Sequence, residues 1–186
     1  MRIIITGTTG GIGGAVKRAA LAAGHEVVEV NRGDFDTFSS VGSIPIDGIV
    51  FTTGTCPVRP LTAMADAELE ETFRVNCGLF VKLMRHVVAG KLNNPKGMKV
   101  VAISSVSATE GWAGGAAYCA SKGALSAVCR ALDAELKPKK ISVIALEPRY
   151  VKTRMFDSCA GRMGVDPALA QDPDEFAKEV LGQIIE

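Results

Sequence analysis

Arg2-Ile3-Ile4-Ile5-Thr6-Gly7-Thr8-Thr9-Gly10-Gly11-Ile12-Gly13-Gly14 opens the chain, and its reading decides the fold. The first five residues carry three consecutive isoleucines, the pattern of a parallel strand buried on both faces. Five glycines follow within eight residues, and Ala15-Val16-Lys17-Arg18-Ala19-Ala20-Leu21-Ala22-Ala23 then reads as a helix that Gly24 closes. Strand, glycine turn and helix in that order give the glycines a meaning. They let the backbone approach a pyrophosphate, and the start of the helix offers free N–H groups and the positive end of its dipole. A merely tight β–α turn would not need so many.

Working outward, His25-Glu26-Val27-Val28-Glu29-Val30 is a second strand that closes a β-α-β unit. A carboxylate about 20 residues after the glycines would hold the ribose 2′-hydroxyl of NAD. Asn31 stands there instead, and Arg32 beside it can pair with a 2′-phosphate, so the reading favours NADP, with NAD as the alternative. The turn-rich stretch from Gly33 to Ile46 leaves room for a short edge strand at Asp34-Phe35 and a stub of helix. Gly48–Thr52 is the next buried strand, ending at Thr53-Gly54. A helix is expected from near Asp66 to about Leu92, with apolar positions from Phe73 to Val88 and one interruption, Asn76, whose amide needs a partner. Lys99–Ser104 reads as a strand, Ala116–Leu136 as a helix and Ile141–Leu146 as a strand. Residues 154–173 are expected to form a loop over a substrate pocket, and an amphipathic helix begins at about Asp174. Strands alternate with helices without repeats or a linker, which predicts one doubly wound α/β domain over residues 1–186.

The chemistry-bearing stretch is Ala117-Tyr118-Cys119-Ala120-Ser121-Lys122. On a helix, Tyr118 and Lys122 at i and i+4 share a face. A free phenol ionises near pH 10, and a fixed ammonium nearby would draw that value down toward the working range. Ser105 ends an apolar β-branched run, so its hydroxyl sits at a strand's carboxyl end, where an open α/β sheet places its ligands and where it can donate to and accept from a substrate oxygen.

A net charge of +1 and the absence of any Lys/Arg cluster argue against nucleic acid as a partner. No apolar run approaches the roughly 18 residues of a membrane span, and Met1-Arg2-Ile3 leads directly into the first strand, so a cytoplasmic protein is expected. Five scattered cysteines without a Cys-x-x-Cys spacing fit reduced thiols, and His25 and His86 lie far from any ligand cluster, so no metal is expected.

Together these residues resemble the compact branch of the short-chain dehydrogenase/reductase family. Thr6-Gly7-x-x-x-Gly11-x-Gly13 is similar to its cofactor loop and Tyr118-x-x-x-Lys122 to its catalytic pair, with Ser105 at the customary thirteen residues before the tyrosine. Arg74-Val75-Asn76-x-Gly78 looks like the segment that carries the family's asparagine. The resemblance implies a Rossmann-type sheet of about six strands in the order 3-2-1-4-5-6. It implies Asn76, Ser105, Tyr118 and Lys122 as catalytic residues. The implied cofactor contacts are Gly7, Thr9, Gly11, Ile12, Gly13, Asn31, Arg32, Asp34, Phe35, Thr53, Gly54, Tyr118, Lys122, Pro148, Val151 and Thr153. In the implied reaction NADPH delivers hydride to a small carbonyl while Tyr118 gives the proton, or the reverse on the matching alcohol. Lys122 lowers the tyrosine pKa and holds the nicotinamide ribose, Ser105 positions the substrate oxygen, and Asn76 fixes a water that links Lys122 to solvent.

Three departures from the family pattern stand out. Phe51-Thr52-Thr53-Gly54 replaces the usual Asn-Asn-Ala-Gly, and Pro148-Arg149 replaces a Pro-Gly pair, where a positive φ would strain arginine. The family's seventh strand has no counterpart before Glu186, so part of the usual subunit interface is expected to be missing. These departures motivate an alternative, a dinucleotide-binding regulator or sensor with little turnover. Gly7, Gly10 and Gly13 also fit the spacing of the longer epimerase and dehydratase branch, which the short chain disfavours. The small residues Ala117, Ala120, Ala124 and Ala127 suit close packing on a second subunit, so a homodimer through Asp66–Leu92 and Ala116–Leu136 is expected.

Overall fold

Three isoleucines in a row require cover on both sides of their strand, and the architecture supplies it. The computed structural model describes residues 1–36, 45–90, 92 and 94–185. Within the turn-rich stretch from Gly33 to Ile46, residues 37–44 lie outside the described residues. Strand β1 (Arg2–Thr6) sits within a parallel sheet with β2 (Glu26–Val30), β3 (Gly48–Phe51), β4 (Met98–Ile103) and β5 (Ile141–Leu146), in the order β2-β1-β3-β4-β5. Ile4 joins Ile49, Phe51, Phe80, Leu83 and Leu125 on one face. Ile3 and Ile5 join Val16, Val50, Val101, Phe176 and Val180 on the other. Alternate side chains of one strand therefore feed two cores, the two-residue period of a pleated sheet covered on both sides.

Helices α1 (Gly11–Ala22) and α6 (Pro173–Ile185) pack together over the second face. The first face is covered by α3 (Leu79–Val88), which follows α2 (Asp66–Phe73), and by α4 (Ala116–Leu136). Thr6 is level with both Val30 and Phe51, and Ile103 with Leu146, so the strands end along one edge. The connections turn in opposite directions on either side of the gap between β1 and β3. That is the switch point where an open α/β sheet leaves a crevice.

Three local expectations change. Asp34-Phe35 is not an edge strand but the start of a single 3-10 turn, Asp34–Asp36. The Asp34 carboxylate accepts the Asn31 N–H at 2.7 Å, and the Asp34 N–H donates to the Asn31 carbonyl at 2.9 Å. Backbone groups that a strand would present to a neighbour are thus satisfied locally. Removing that strand from the expected order 3-2-1-4-5-6 leaves the observed order. Phe35 turns inward at 1% exposure and packs edge-on against Phe51, with centroids 6.3 Å apart and planes at 79°. Phe35→Ala is expected to cost about 3–5 kcal/mol of stability, measured by urea denaturation.

The long helix expected from Asp66 is divided by a π-helical turn, Arg74–Gly78, and α3 stops at Val88, with Gly90 in the left-handed region at φ 72°. The segment expected as an irregular loop from Arg154 is instead helix α5 (Arg154–Met163). The Thr153 hydroxyl accepts the Phe156 N–H at its start, and Gly164 ends it at φ 65°.

Candidate active site

Along the carboxyl edge of the sheet lies a cavity of about 670 Å³, within the range of small-molecule and cofactor sites. One end is the glycine turn between β1 and α1. Gly7 adopts φ 67°, and a Cβ on Gly13 would lie 2.3 Å from the Gly7 carbonyl oxygen and 2.5 Å from Thr52 Oγ1. No side chain larger than hydrogen fits there. Gly10 caps α1 without a side-chain hydrogen bond, and the first turn holds no acidic residue, so the helix start keeps its N–H groups and dipole available for an anion. Arg18, Arg32, Lys122, Arg149 and Arg154 line the cavity, and among the described residues no carboxylate does. This glycine cradle and its cationic walls fit the pyrophosphate and phosphates of a dinucleotide.

The Thr52-Thr53 pair that replaces the family's asparagines has a structural use. Thr52 Oγ1 donates to the Thr6 carbonyl at 2.6 Å, and Thr53 Oγ1 donates to Thr6 Oγ1 at 2.9 Å. The hydroxyls tie the ends of β1 and β3 together beside the glycine turn.

At the other end, Ser105, Tyr118 and Lys122 share one wall. Ser105 leaves β4 and accepts the Ser107 N–H at 3.1 Å, which fixes its hydroxyl. Tyr118 lies in the first turn of α4, with Trp112 tilted against it at 6.3 Å between centroids. Lys122, one turn further, is buried. Its Nζ donates to the Ile103 carbonyl at 2.8 Å and lies 5.8 Å from the Tyr118 ring centroid. This arrangement corrects the expectation of an acidified phenol. Burial pushes the Tyr118 hydroxyl above its ordinary range, and the hydrogen bond with Ser105 only partly opposes that shift. Burial lowers the Lys122 ammonium from 10.5 to about 8.

Asn76 does not line the cavity. It sits in the π-helical turn, fully buried; its Nδ2 donates to the Thr55 carbonyl and to Ser121 Oγ at 2.9 Å each, and its Oδ1 accepts the Thr55 N–H at 2.7 Å. The wider π turn swings this amide toward the segment after β3. A Cβ on Gly54 would be 3.4 Å from Asn76 Oδ1 and 3.7 Å from Lys122 Nζ, so Asn76 lies directly behind the wall.

Of the other expected cofactor contacts, Gly7, Thr9, Gly11, Ile12, Gly13, Asn31, Arg32, Thr53, Gly54, Pro148, Val151 and Thr153 all line the cavity. Asp34 and Phe35 do not, for the reasons given with the fold. Arg149 carries no strain: Lys140 is the one non-glycine residue at positive φ among the described residues. The Arg149 guanidinium instead makes a bidentate pair with Glu110, at 2.6 and 3.1 Å. Sequence reasoning missed Arg18, Trp112 and Cys56 as lining residues. Arg18 was accessible in principle, since it stands two helical turns after Gly11; the others depend on how loops fold back.

Fold and site define a dinucleotide-binding α/β domain with a serine, a tyrosine and a lysine on the wall of its cleft. The chain belongs to the short-chain dehydrogenases, a family of NAD(P)-dependent oxidoreductases: the family model described as short chain dehydrogenase matches residues 39–162. The chain is 26% identical to the L-xylulose reductase of Bos taurus, in a match covering 83% of this chain and 73% of that protein. It is 29% identical to the short-chain reductase protein NovJ of Streptomyces niveus, over 88% of this chain and 74% of that one. A short chain dehydrogenase from Burkholderia cenocepacia, solved in complex with NADP, superposes with a TM-score of 0.83 at 20% identity, covering all of this chain and 84% of that one.

Proposed function

We propose that this protein reduces a small carbonyl compound with NADPH, with Tyr118 as the proton donor. The observation that carries the reading is the convergence of Ser105, Tyr118 and Lys122 on one wall of a cavity whose far end is the glycine cradle. The two reductases with which it shares sequence, and the NADP in the Burkholderia complex, support the same reading. Bound there, the reduced nicotinamide supplies hydride to the carbonyl carbon. Tyr118 gives its proton to the carbonyl oxygen, which the Ser105 hydroxyl holds in place. Lys122 brings positive charge beneath the tyrosine ring and offers N–H donors to a ribose. Both Asn76 amide donors are committed to protein, so its part is to position Thr55 and Gly54 against Lys122 rather than to hold a water. The test is a carbonyl panel followed through NADPH absorbance. Oxidation of NADPH on at least one carbonyl is expected. The withdrawal of Asn76 from the cavity favours the second reading, a regulator, and tight NADPH binding with no turnover on any carbonyl would decide for it.

NADP preference is assigned to Arg32 beside Asn31, with no carboxylate among the described residues lining that end of the cavity. Arg32→Ala is expected to weaken NADPH binding by about tenfold, the scale of one charge-assisted hydrogen bond, while NADH binding is unchanged, as read by fluorescence titration. We also place a second copy of the chain against α2, α3 and α4, where Leu69, Phe73 and Val81 are exposed beside the exposed Ala120 and Ala127. Light scattering at micromolar concentration is expected to report a dimer. Among the described residues no helix is long and apolar enough to cross a membrane. All five thiols are free, which suits the cytoplasm.

A further inference from the structure

Two cysteines in the cavity wall have no part in the reaction above. Cys56 lies in the segment that follows β3, and Cys159 lies on α5; both face the cavity. Cys159 Sγ is 3.6 Å from the Cys56 carbonyl oxygen, and Ser158 Oγ is 3.6 Å from the same sulfur. Arg162, on the same helix, donates to the Val58 carbonyl at 2.9 Å and so fastens α5 to the Cys56 segment. Both thiols are free.

We propose that Cys56 and Cys159 are a peroxide-sensitive pair that closes to a disulfide across the active-site cavity. The surroundings divide the labour between the two sulfurs. The hydrogen bond from Cys56 and the Arg162 charge hold the Cys159 thiol down at about 6, against its own burial, while Cys56 is pushed up and keeps its proton. A thiolate poised next to a resolving cysteine is the arrangement that peroxide chemistry selects. The Cys159 thiolate attacks one oxygen of a hydroperoxide, the S–O bond forms as the O–O bond breaks, and the departing oxygen leaves as water or alcohol after taking a proton. Cys159 is then a sulfenic acid, oxidised by two electrons. The Cys56 sulfur attacks it, the S–S bond forms, and the hydroxyl leaves as water with the Cys56 proton. An external dithiol reverses the step. Burial instead raises Cys129 to about 12 and raises Cys77 as well. The bridge would tie α5 to the segment after β3 and narrow the space next to Tyr118.

The test exposes the full chain to hydrogen peroxide, quenches it, and reads the unreduced mass and peptide map. The expected result is a loss of two hydrogens and a Cys56–Cys159 linked peptide, both reversed by dithiothreitol, with carbonyl reduction falling as the bridge forms. Cys56→Ser is expected to stop at a sulfenic acid on Cys159 that dimedone traps, and Cys159→Ser to give neither product at the same exposure. A bridge to another cysteine, or oxygen addition without hydrogen loss, overturns the pairing. A bridge that forms without any fall in reduction overturns its placement across the active site. The mass measurement does not depend on turnover: a protein that forms the bridge but reduces no carbonyl in its fully reduced state defeats the reductase reading alone, whereas an active reductase with no bridge defeats this pairing alone.

Discussion

Replacing Tyr118 with phenylalanine is expected to leave the dinucleotide bound and to cut turnover by about a hundred- to ten-thousand-fold, the share a positioned proton donor contributes. The substitution keeps the ring, and with it the contact to Trp112 and the place of Lys122 over the ring face. What it removes is the hydroxyl and its hydrogen bond with Ser105. Binding is read by NADPH fluorescence and turnover by steady-state rates on a working carbonyl; wild-type rates in the variant would remove Tyr118 from the reaction. In the proposed reaction the same environment sets the pH dependence of each direction. Burial holds the phenol above its ordinary ionisation range, so it carries its proton throughout the neutral range. It is therefore a ready donor to a carbonyl oxygen and a poor base toward an alcohol. Reduction should be favoured near neutrality, and alcohol oxidation should gain as pH rises.

The parts of this architecture legible in the sequence are those in which short-range chemistry and tertiary packing agree. Ile3-Ile4-Ile5 followed by glycines and alanines admits one arrangement, and the strand–turn–helix forms as read. Helix α4 runs from Ala116 to Leu136 as its small and apolar residues indicate. Phe35 was not legible because an aspartate-flanked phenylalanine can end an edge strand or plug a core. The choice is made by Phe51, sixteen residues later in the chain but in contact across the fold. The π turn at Asn76 has the same character. Its wider winding satisfies an amide whose partners, Thr55 and Ser121, come from a distant loop and another helix. Helix α5 carried local signals that its Ser, Cys and Gly content masked: the Thr153 cap, Asp157 in the first turn, Arg162 in the last and Gly164 beyond it. The acidified phenol failed for an electrostatic reason. Spacing along a helix places the lysine near the ring but does not say whether water is near enough to support a charge on oxygen.

Lys122→Met should make the protein more stable and much less active. The ammonium is buried and its pKa is lowered from 10.5 to about 8, with desolvation as the leading cause. Between about pH 8 and the ordinary lysine value, the unfolded chain holds a proton that the folded chain has released. Stability of the wild type therefore rises with pH across that window and carries the full desolvation penalty below it. A methionine of similar length removes the penalty at pH 7 but leaves the Ile103 carbonyl without the donor now 2.8 Å away, which returns part of the gain. A net gain of about 1 kcal/mol would raise the melting temperature by roughly 2–4 °C at pH 7. The difference between variant and wild type should shrink as pH climbs from 8 toward 10, since the wild-type lysine is then neutral in the folded state. Turnover should fall by about a hundred- to a thousandfold, the scale of one lost electrostatic donor in a water-poor site. Scanning calorimetry across that pH range, run beside the rate assay, reads both. A variant less stable than the wild type at pH 7 would mean that the bond to Ile103 outweighs the buried charge. The lysine would then be a structural tie rather than a group held at a cost for chemistry.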